Sequence, residues 1–424
     1  MTNRHHQIVI VGGGTGGIMT AAHLLRKSKE KLDIAIVEPS ETHSYQPAWT
    51  LVGAGTYSMQ KTRRPEIKQI PKECTWIKDY VEAVDPDKNT ITLNDGAELT
   101  YDYLVLAPGV INKLDLIEGL EEALKTDVVC SNYIDPEKTW EVVQNFKGGN
   151  ALFTQGTTPI KCGGAPQKTM YLSEDHWRKN KELRNKTNVV YAFPGTVIFG
   201  VEEFKKTLLQ VVDSRDMILK HKHRLFKIDG EKQIAYYRYP ENSNYDELTR
   251  NDKNNNLGAK LKDGIIEIKY DMLHLAPPMV PPSFISESKL AIKEGGLKGY
   301  CKVDKNTLRS PDYSKVFGLG DAMGIPAAKT GAAIRKQVPV LIDHLLAEMK
   351  QEESSASYDG YSSCPIITGY GKMLLCEFNY KKERDSDPVL SKFFDTTKDS
   401  WPMWLLKKYG LPYLYWNQML KGRM

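Results

Sequence analysis

What this chain lacks narrows its function before any motif is considered. It has no run of about 18 consecutive apolar residues, so no segment is built to cross a bilayer as a helix. It has no Lys/Arg block interleaved with aromatics: the formal net charge is only +5 over 424 residues. Nucleic acid is therefore not an expected partner, whereas a mildly basic balance suits an anionic membrane surface. The first strand-like run starts at residue 7 with no charged-then-apolar leader and no Arg- and Ser-rich transit segment before it, which argues against secretion. Cysteine is scarce, and Cys74, Cys130, Cys162, Cys301, Cys364 and Cys376 are scattered without ligand spacing. Neither a metal centre nor a disulfide framework fits them, so a reactive pair would need a special context. The length, with 41% apolar and 26% charged residues, accommodates two or three domains around a large core.

What is present begins with a nucleotide loop. The run QIVIV at 7–11 is short, apolar and β-branched, as a buried parallel strand should be. Gly12, Gly14 and Gly17 follow in G-x-G-x-x-G spacing and lead into a helical stretch. The first glycine allows a tight turn, the second a close backbone approach to pyrophosphate, and the third close helix–strand packing. The helix N-terminus, at Thr15 and Gly16, presents amide donors and the positive end of its dipole to phosphate. A second apolar run, DIAIVE, ends at Glu38, 21 residues after Gly17, where a carboxylate accepts from an adenosine ribose and repels a 2′-phosphate. Two later segments favour FAD over NAD. YDYLVLAPG is a strand ending at Ala107-Pro108-Gly109, and VFGLGDAMG at 316–324 is a strand stopping at Gly320-Asp321. The latter resembles the flavin disulfide-reductase type of fold, in which such an Asp lies beside the ribityl chain and the next helix points at the flavin.

Near residue 150, where a second dinucleotide loop would be expected, the chain reads NALFTQGTTPIKCGGAPQKTMYLSEDHWRK. A strand and a helix are recognisable, but Pro159, Cys162 and Pro166 interrupt the turn that would need free amides, and the next strand, NVVYAFPG, ends without an acid. The expectation is a domain that keeps the fold but has no NAD site, which disfavours a type II NADH:quinone dehydrogenase. The loop instead carries Cys162 next to Lys161 and two glycines, a neighbouring cation and flexible amides that favour thiolate. Farther on, YSSCPIITGYGKMLLCEFNY reads as two strands, with Cys364 just before a proline. The 241–264 segment, Asn-rich and aperiodic, reads as a long surface turn.

Taken over its full length, the chain resembles the sulfide:quinone oxidoreductases, particularly the mitochondrial-like branch and its bacterial relatives. The resemblance is carried by HSYQPAWTLVGAG at 43–55, TPIKCGGAPQKTMYLSE at 158–174, HLAPPMVPP at 274–282, GLGDAMGIPAAKTGAA at 318–333 and YSSCPIITGYGKMLLCEF at 361–378. It implies that Cys162 and Cys364 form a redox pair beside FAD, bridged at rest by a disulfide or trisulfide. Hydrosulfide would attack at Cys364, leave a persulfide there and release Cys162 as thiolate, and the electrons would pass through the flavin to a quinone. A disulfide needs Cα atoms within about 7 Å, so two cysteines 202 residues apart demand a specific tertiary contact. The resemblance assigns Thr15 and Gly16 to pyrophosphate, Glu38 to ribose, the Val81 backbone to adenine, Gln46 to the flavin region, and Asp321 and Gly331 to the ribityl chain and isoalloxazine. Lys329 becomes a charge stabiliser or quinone-side residue, and Cys130 reads as structural in preference to a flavin link or sulfur relay. His43 and His176 are candidate proton carriers, the latter with a solvent-facing position as its ordinary alternative.

The architecture expected is α/β: two tandem Rossmann-like domains, the second without an NAD site, plus a C-terminal membrane-associating region. The FAD domain is expected to span 1–112 and 300–350, the second domain 113–299, and the C-terminal domain 358–424. Residues 400–424 mix Trp, Tyr and basic residues, with Pro402 and Pro412 splitting them into short amphipathic helices suited to lie on a membrane. The expected partners are hydrogen sulfide, a quinone (ubiquinone or menaquinone), a sulfane-sulfur acceptor (glutathione, sulfite or polysulfide) and a membrane surface; a homo-oligomer is left open. The expected location is peripheral, on the cytoplasmic face of a bacterial membrane or on the mitochondrial inner membrane. Two rivals are a flavoprotein sulfide dehydrogenase with a haem-bearing partner and a flavin-binding protein without turnover.

Overall fold

A computed structural model of the chain describes residues 4–240, 249–252 and 255–424. Its first sheet gathers β1 (Arg4–Val11), β2 (Ile34–Val37), β3 (Thr75–Ile77), β4 (Val81–Asp85), β5 (Thr90–Leu93) and β6 (Glu98–Leu106) in the order β3-β2-β1-β6-β5-β4. The four inner residues of β1 and all of β2 are buried, which is why both read as uninterrupted apolar runs. Parallel pairing joins β1 to β2 and β6, whereas β5 and β4 form an antiparallel meander off the first half of β6. A late strand, β13 (Val316–Gly318), returns to pair in parallel with the second half of β6, so chain from both ends builds one sheet. Helix α1 (Thr15–Lys27) leaves β1 through the glycine loop.

A second sheet is built from β7 (Val129–Cys130), β8 (Gly149–Gln155), β9 (Thr187–Ala192), β10 (Ile218–Lys220), β11 (Thr249–Arg250) and β12 (Met272–Ala276), in the order β7-β12-β8-β9-β10-β11. All of its pairings are parallel except β10–β11. Helix α2 (Ala165–Trp177) follows β8 and is buried along almost its whole length. The 241–264 stretch corrects the expectation of a plain surface turn. Residues 241–248, 253 and 254 lie outside the described residues, but β11 and the strand Lys260–Lys262 are both paired into sheets, and the side chain of Asp252 is buried against Lys220. A low-hydropathy stretch conceals strands that short.

Helix α3 (Gly331–Met349) is capped by the Thr330 side chain and packs on α1. The antiparallel hairpin β14 (Ser362–Gly369) and β15 (Lys372–Phe378) then packs against α2. The tail follows as α4 (Trp401–Leu405), a π turn at Leu406–Gly410 and α5 (Leu411–Asn417). Pro402 and Pro412 each stand in the first turn of an α segment, where a missing amide hydrogen is harmless. The prolines therefore do not divide the tail as expected; a π turn joins the two segments into one helical path. Among the described residues no helix is long and apolar enough to cross a membrane.

A Cβ on Gly17 would stand 1.8 Å from the Gly12 carbonyl oxygen, a backbone atom that cannot give way. Gly17→Ala should therefore force α1 away from β1 and destabilise the fold by about 1–3 kcal/mol. The check is a denaturation midpoint, measured with the fraction of chains that retain a yellow cofactor.

Candidate active site

A cavity of about 670 Å³ runs between the two sheets and the tail. At one end, the glycine loop opens α1 towards it: Gly14, Thr15 and Gly16 line the wall, and no side chain caps the helix. Glu38 lies at the carboxyl end of β2, its two oxygens accepting from the Gly13 amide at 2.7 Å and the Ser40 amide at 2.8 Å. A Cβ on Gly14 would meet nothing within 4 Å, whereas Gly12, at φ 101°, would drive one into the Ala107 carbonyl. Gly12 and Gly17 thus shape the turn from behind, and Gly14 leaves the space in front of the amides clear. At the other end stand Asp321, Lys329 and Gly331, where α3 points its N-terminus inward. Two helix N-termini with a carboxylate at one extremity fit a long molecule carrying a diphosphate, as FAD does. Gln46 also lines the cavity, while Val81, half-buried at the start of β4, is not among its lining residues.

The sequence did not reveal how the tail closes this space. Tyr415, on α5, is hydrogen-bonded through its hydroxyl to the Thr15 hydroxyl at 2.8 Å and to His43 Nε2 at 2.6 Å. His43 Nδ1 in turn lies 3.2 Å from a Glu66 carboxylate that is itself buried. Burial raises the Glu66 carboxyl above its ordinary range, against the pull of its hydrogen bond with His43. Of the two histidines singled out, His43 belongs to the cavity wall. His176 packs edge-on against Trp140 outside it.

Two cysteines meet at the cavity wall. Cys162, after β8, lines the cavity at a left-handed φ of 52°, a strained setting for a residue with a Cβ. Its amide donates to the Lys329 carbonyl at 2.7 Å, and its carbonyl accepts from the Tyr133 hydroxyl at 3.2 Å. Cys364, on β14, is buried behind Gly164, whose missing Cβ would stand 2.7 Å from its sulfur. The two thiols are hydrogen-bonded to each other, so the 202-residue separation closes into a contact. Both are free thiols here.

The cation beside them is not the one expected. Lys161 lines the cavity near Asp321, while Lys168, one turn into α2, places Nζ 3.0 Å from Cys162 Sγ. The hydrogen bond from Cys364, followed by the Lys168 charge, holds the Cys162 thiol well below the usual thiol range, even though burial opposes it. The same hydrogen bond, added to by burial, raises Cys364 well above it. Burial would lower Lys168, yet the facing thiols raise it, so it stays an ammonium. A second buried lysine, Lys407 in the π turn, donates to the Pro47 carbonyl at 2.9 Å. Burial first, then the Lys168 charge, bring it down to about 7. Lys329 is lowered by burial to about 8, with Asp321 opposing. Lys168 did not stand out in the sequence, where its spacing six residues after Cys162 was the available signal; Lys407 counted there among the basic residues of the membrane-facing tail, and its burial corrects that reading.

Cys130 is fully buried in β7, away from the cavity lining, and burial pushes its thiol up to about 12. That environment is structural. Cys74 and Cys301 are likewise raised to about 12 by burial.

Lys168→Met should shift the onset of Cys162 alkylation in the reduced protein upward by about one pH unit or more, because the thiolate loses a cation in contact. Iodoacetamide labelling across pH, with the labelled site read by mass spectrometry, checks it. An unchanged onset would remove Lys168 from the account.

Residues 6–143 match the family described as pyridine nucleotide-disulphide oxidoreductase. The chain is 40% identical over 420 residues to a protein of Dictyostelium discoideum named sulfide:quinone oxidoreductase, mitochondrial, covering 98% of this chain and 86% of that one. It is 38% identical to the Mus musculus protein of the same name, covering 99% and 87%. In three dimensions it is similar to the crystal structure of the sulfide:quinone oxidoreductase of Aquifex aeolicus, with a TM-score of 0.76 at 17% identity, covering 99% of this chain and 92% of that one.

Proposed function

Because the chain belongs to the sulfide:quinone oxidoreductase family, we propose that Cys162 and Cys364 are the pair through which it oxidises sulfide. The protein is an FAD-dependent oxidoreductase that takes electrons from hydrogen sulfide and gives them to a quinone. The observation that carries the assignment of the pair is geometric: Cys162 lines the cavity with the Lys168 Nζ 3.0 Å from its sulfur, and Cys364 is buried in contact behind it.

Thiol–disulfide exchange proceeds best when the leaving sulfur has the lower pKa. In the bridged state, hydrosulfide attacks the Cys364 sulfur, the bond to Cys162 breaks, and Cys162 departs as a thiolate paired with the Lys168 ammonium. Cys364 retains the incoming sulfur as a persulfide. Bound FAD supplies a two-electron acceptor. Thr15 and Gly16 would hold its pyrophosphate, Glu38 the ribose, and Asp321, Lys329 and Gly331 the ribityl and ring end, with Gln46 nearby and Val81 at the adenine. The backbone ties from Cys162 to Lys329 and Tyr133 keep the thiolate at the cavity wall. The sulfane sulfur then leaves to glutathione, sulfite or polysulfide. The β8–α2 loop, spent on a cysteine, offers no phosphate grip, which supports a second Rossmann-like domain (113–299) without NAD beside an FAD domain of 1–112 and 300–350.

The tail supports a peripheral seat on a membrane, the mitochondrial inner membrane or a bacterial cytoplasmic face, for the C-terminal region 358–424. Trp404, Tyr415 and Trp416 are 6%, 3% and 3% exposed, against 62%, 59% and 60% for Trp401, Tyr409 and Tyr413. One aromatic set packs inward and the other stands in solvent with Val389 and Phe393, as an interfacial anchor requires.

Two tests follow. Cys162→Ser and Cys364→Ser should each abolish flavin bleaching by sulfide under anaerobic conditions while retaining the cofactor; bleaching at the unaltered rate in either variant would overturn the pairing. Replacing Trp401, Tyr409 and Tyr413 together by Ser should release the folded enzyme from anionic liposomes in a flotation assay. Full binding by that variant would reject the anchor.

A further inference from the structure

The inward face of the β14–β15 hairpin carries more sulfur than the reaction above employs. Cys364 stands directly opposite Cys376 in the antiparallel register, and Ile366 opposite Leu374 is the next pair on that face. Both cysteines are buried, at 3% and 0% exposure, in one apolar cluster with Phe153, Met170 and Tyr171, and Cys162 packs against it. Cys364 is therefore the middle one of three thiols. Cys162 meets it from the loop after β8, and Cys376 faces it across the hairpin. The Lys168 ammonium, in contact with Cys162, feels the charge of all three.

Register alone brings the second pair within bonding range. Residues directly opposite in an antiparallel pair have Cα atoms about 4.5 or 5.5 Å apart, and a disulfide accepts roughly 4.4–6.8 Å. Strand alternation puts both side chains on the same face, so a bond between them asks for side-chain rotation and no new backbone path. The two possible bridges differ in what they show to the cavity. A bridge from Cys162 to Cys364 keeps one sulfur at the cavity wall, whereas neither Cys364 nor Cys376 is among the lining residues.

We propose that Cys364 exchanges disulfide partners, and that a Cys364–Cys376 bridge is a second oxidised form of the enzyme, outside the cycle, in which Cys162 stands free. The proposal rests on the Cys162–Cys364 reading. In the exchange Cys376 gives its proton to solvent, and its sulfur forms a bond to the Cys364 sulfur. The Cys162–Cys364 bond breaks, and Cys162 keeps the electron pair as a thiolate against the Lys168 ammonium. One disulfide is lost and one is gained, so no oxidant or reductant takes part. The oxidising equivalent is then stored in the dry core, where sulfide meets it only after exchange returns it to Cys162. Burial, first, holds the Cys376 thiol far above its ordinary range; the Lys168 charge and the Ile366 backbone oppose this, and the Glu377 charge adds to it. The attacking thiolate is therefore scarce. Exchange belongs to the resting enzyme and not to turnover, on the order of minutes to hours, as for uncatalysed disulfide rearrangement. Departure of Cys162 as a thiolate already paired with a cation favours the forward direction.

The test follows both bridges in the FAD-loaded enzyme. Trypsin cuts after Lys372 and so separates the Cys364 peptide from the Cys376 peptide. The enzyme is rested, denatured in acid with N-ethylmaleimide to block free thiols, digested and read by mass spectrometry. A Cys364–Cys376 linked pair should grow in at the expense of the Cys162–Cys364 pair, and a slow phase of flavin bleaching by sulfide should grow with it. Cys376→Ala should lose that pair and the slow phase, and keep the fast phase at its unaltered rate. Cys162→Ser, which removes the competing partner, should link Cys364 to Cys376 on mild oxidation with diamide; two free thiols after that treatment would overturn the proposal, whatever the alanine variant does. A Cys162–Cys364 pair with no Cys364–Cys376 pair after prolonged rest overturns the exchange and leaves the first pairing standing. A Cys364–Cys376 pair with no Cys162–Cys364 pair at any time overturns that pairing, and the exchange with it.

Discussion

The contact between Lys168 and Cys162 is the constraint on which the rest of the site depends. A lysine this deeply buried loses its proton unless a negative partner stands against it, because an unpaired buried charge is far costlier than deprotonation. Lys407 shows the pull towards that outcome in the same neighbourhood: its Nζ donates to a carbonyl at 2.9 Å and has no ion-pair partner among the described residues, and it is lowered to about 7. Lys168 escapes only because the thiol sulfur 3.0 Å away becomes a thiolate. Cation and thiolate thus specify each other, and the pair has a direction: the charged sulfur faces the cofactor cavity, and its neutral partner donates a hydrogen bond to it from behind.

That direction is imposed by pieces far apart in sequence. The β8–α2 loop brings Cys162, the hairpin brings Cys364, α2 brings Lys168, and the π turn of the tail brings Lys407. Glycine at 164 lets the loop lie against the hairpin, since a Cβ there would press on the Cys364 sulfur and on Ile366. The tail is a structural part of the site as well as a candidate anchor. Tyr415 is hydrogen-bonded to Thr15 at the mouth of the glycine loop, and Trp416 carries the Arg64 guanidinium 4.2 Å from its ring centre. The exposed aromatics of the candidate anchor and the side chains that close over the dinucleotide loop therefore share one helical path, so the proposed membrane seat and the wall of the cofactor cavity would share a mechanical element.

The parts legible in the sequence were those with a local signature. The strand, glycine loop and helix at 7–27 were readable because periodicity and glycine spacing coincide, and Glu38 because it ends an apolar run at a fixed remove. The second sheet was legible as a strand and helix with the wrong loop between them. The cysteine pairing came from resemblance alone, since sequence cannot show that Cys364 and not Cys376, directly opposite it on the same face of the hairpin, meets Cys162. The burial of the lysines was invisible for a simple reason: Lys168 and Lys407 belong to a residue type that is ordinarily solvated, and only tertiary packing removes its water. The tail misled in a different way. Its aromatics are spread over both faces, so composition indicated an interfacial helix without showing that half of them are core.

The second sheet also explains how the proposed redox pair could keep its place through a cycle in which its own bond breaks. In a nucleotide-binding relative of this architecture the loop after β8 would offer amides to phosphate. Here those groups are engaged by protein: the Cys162 amide is bonded to Lys329 of the flavin-side chain segment, and its carbonyl to Tyr133. The first tie crosses from one sheet's loops to the other's, and it fixes the cysteine backbone where the φ of 52° would otherwise relax. Held in this way, the thiolate does not need the bridge to Cys364 in order to stay at the cavity wall, and the reduced pair remains in hydrogen-bonding contact. The Cys162 amide, in the loop where such a relative would turn amides to phosphate, is thus bonded to protein, and that bond positions the sulfur.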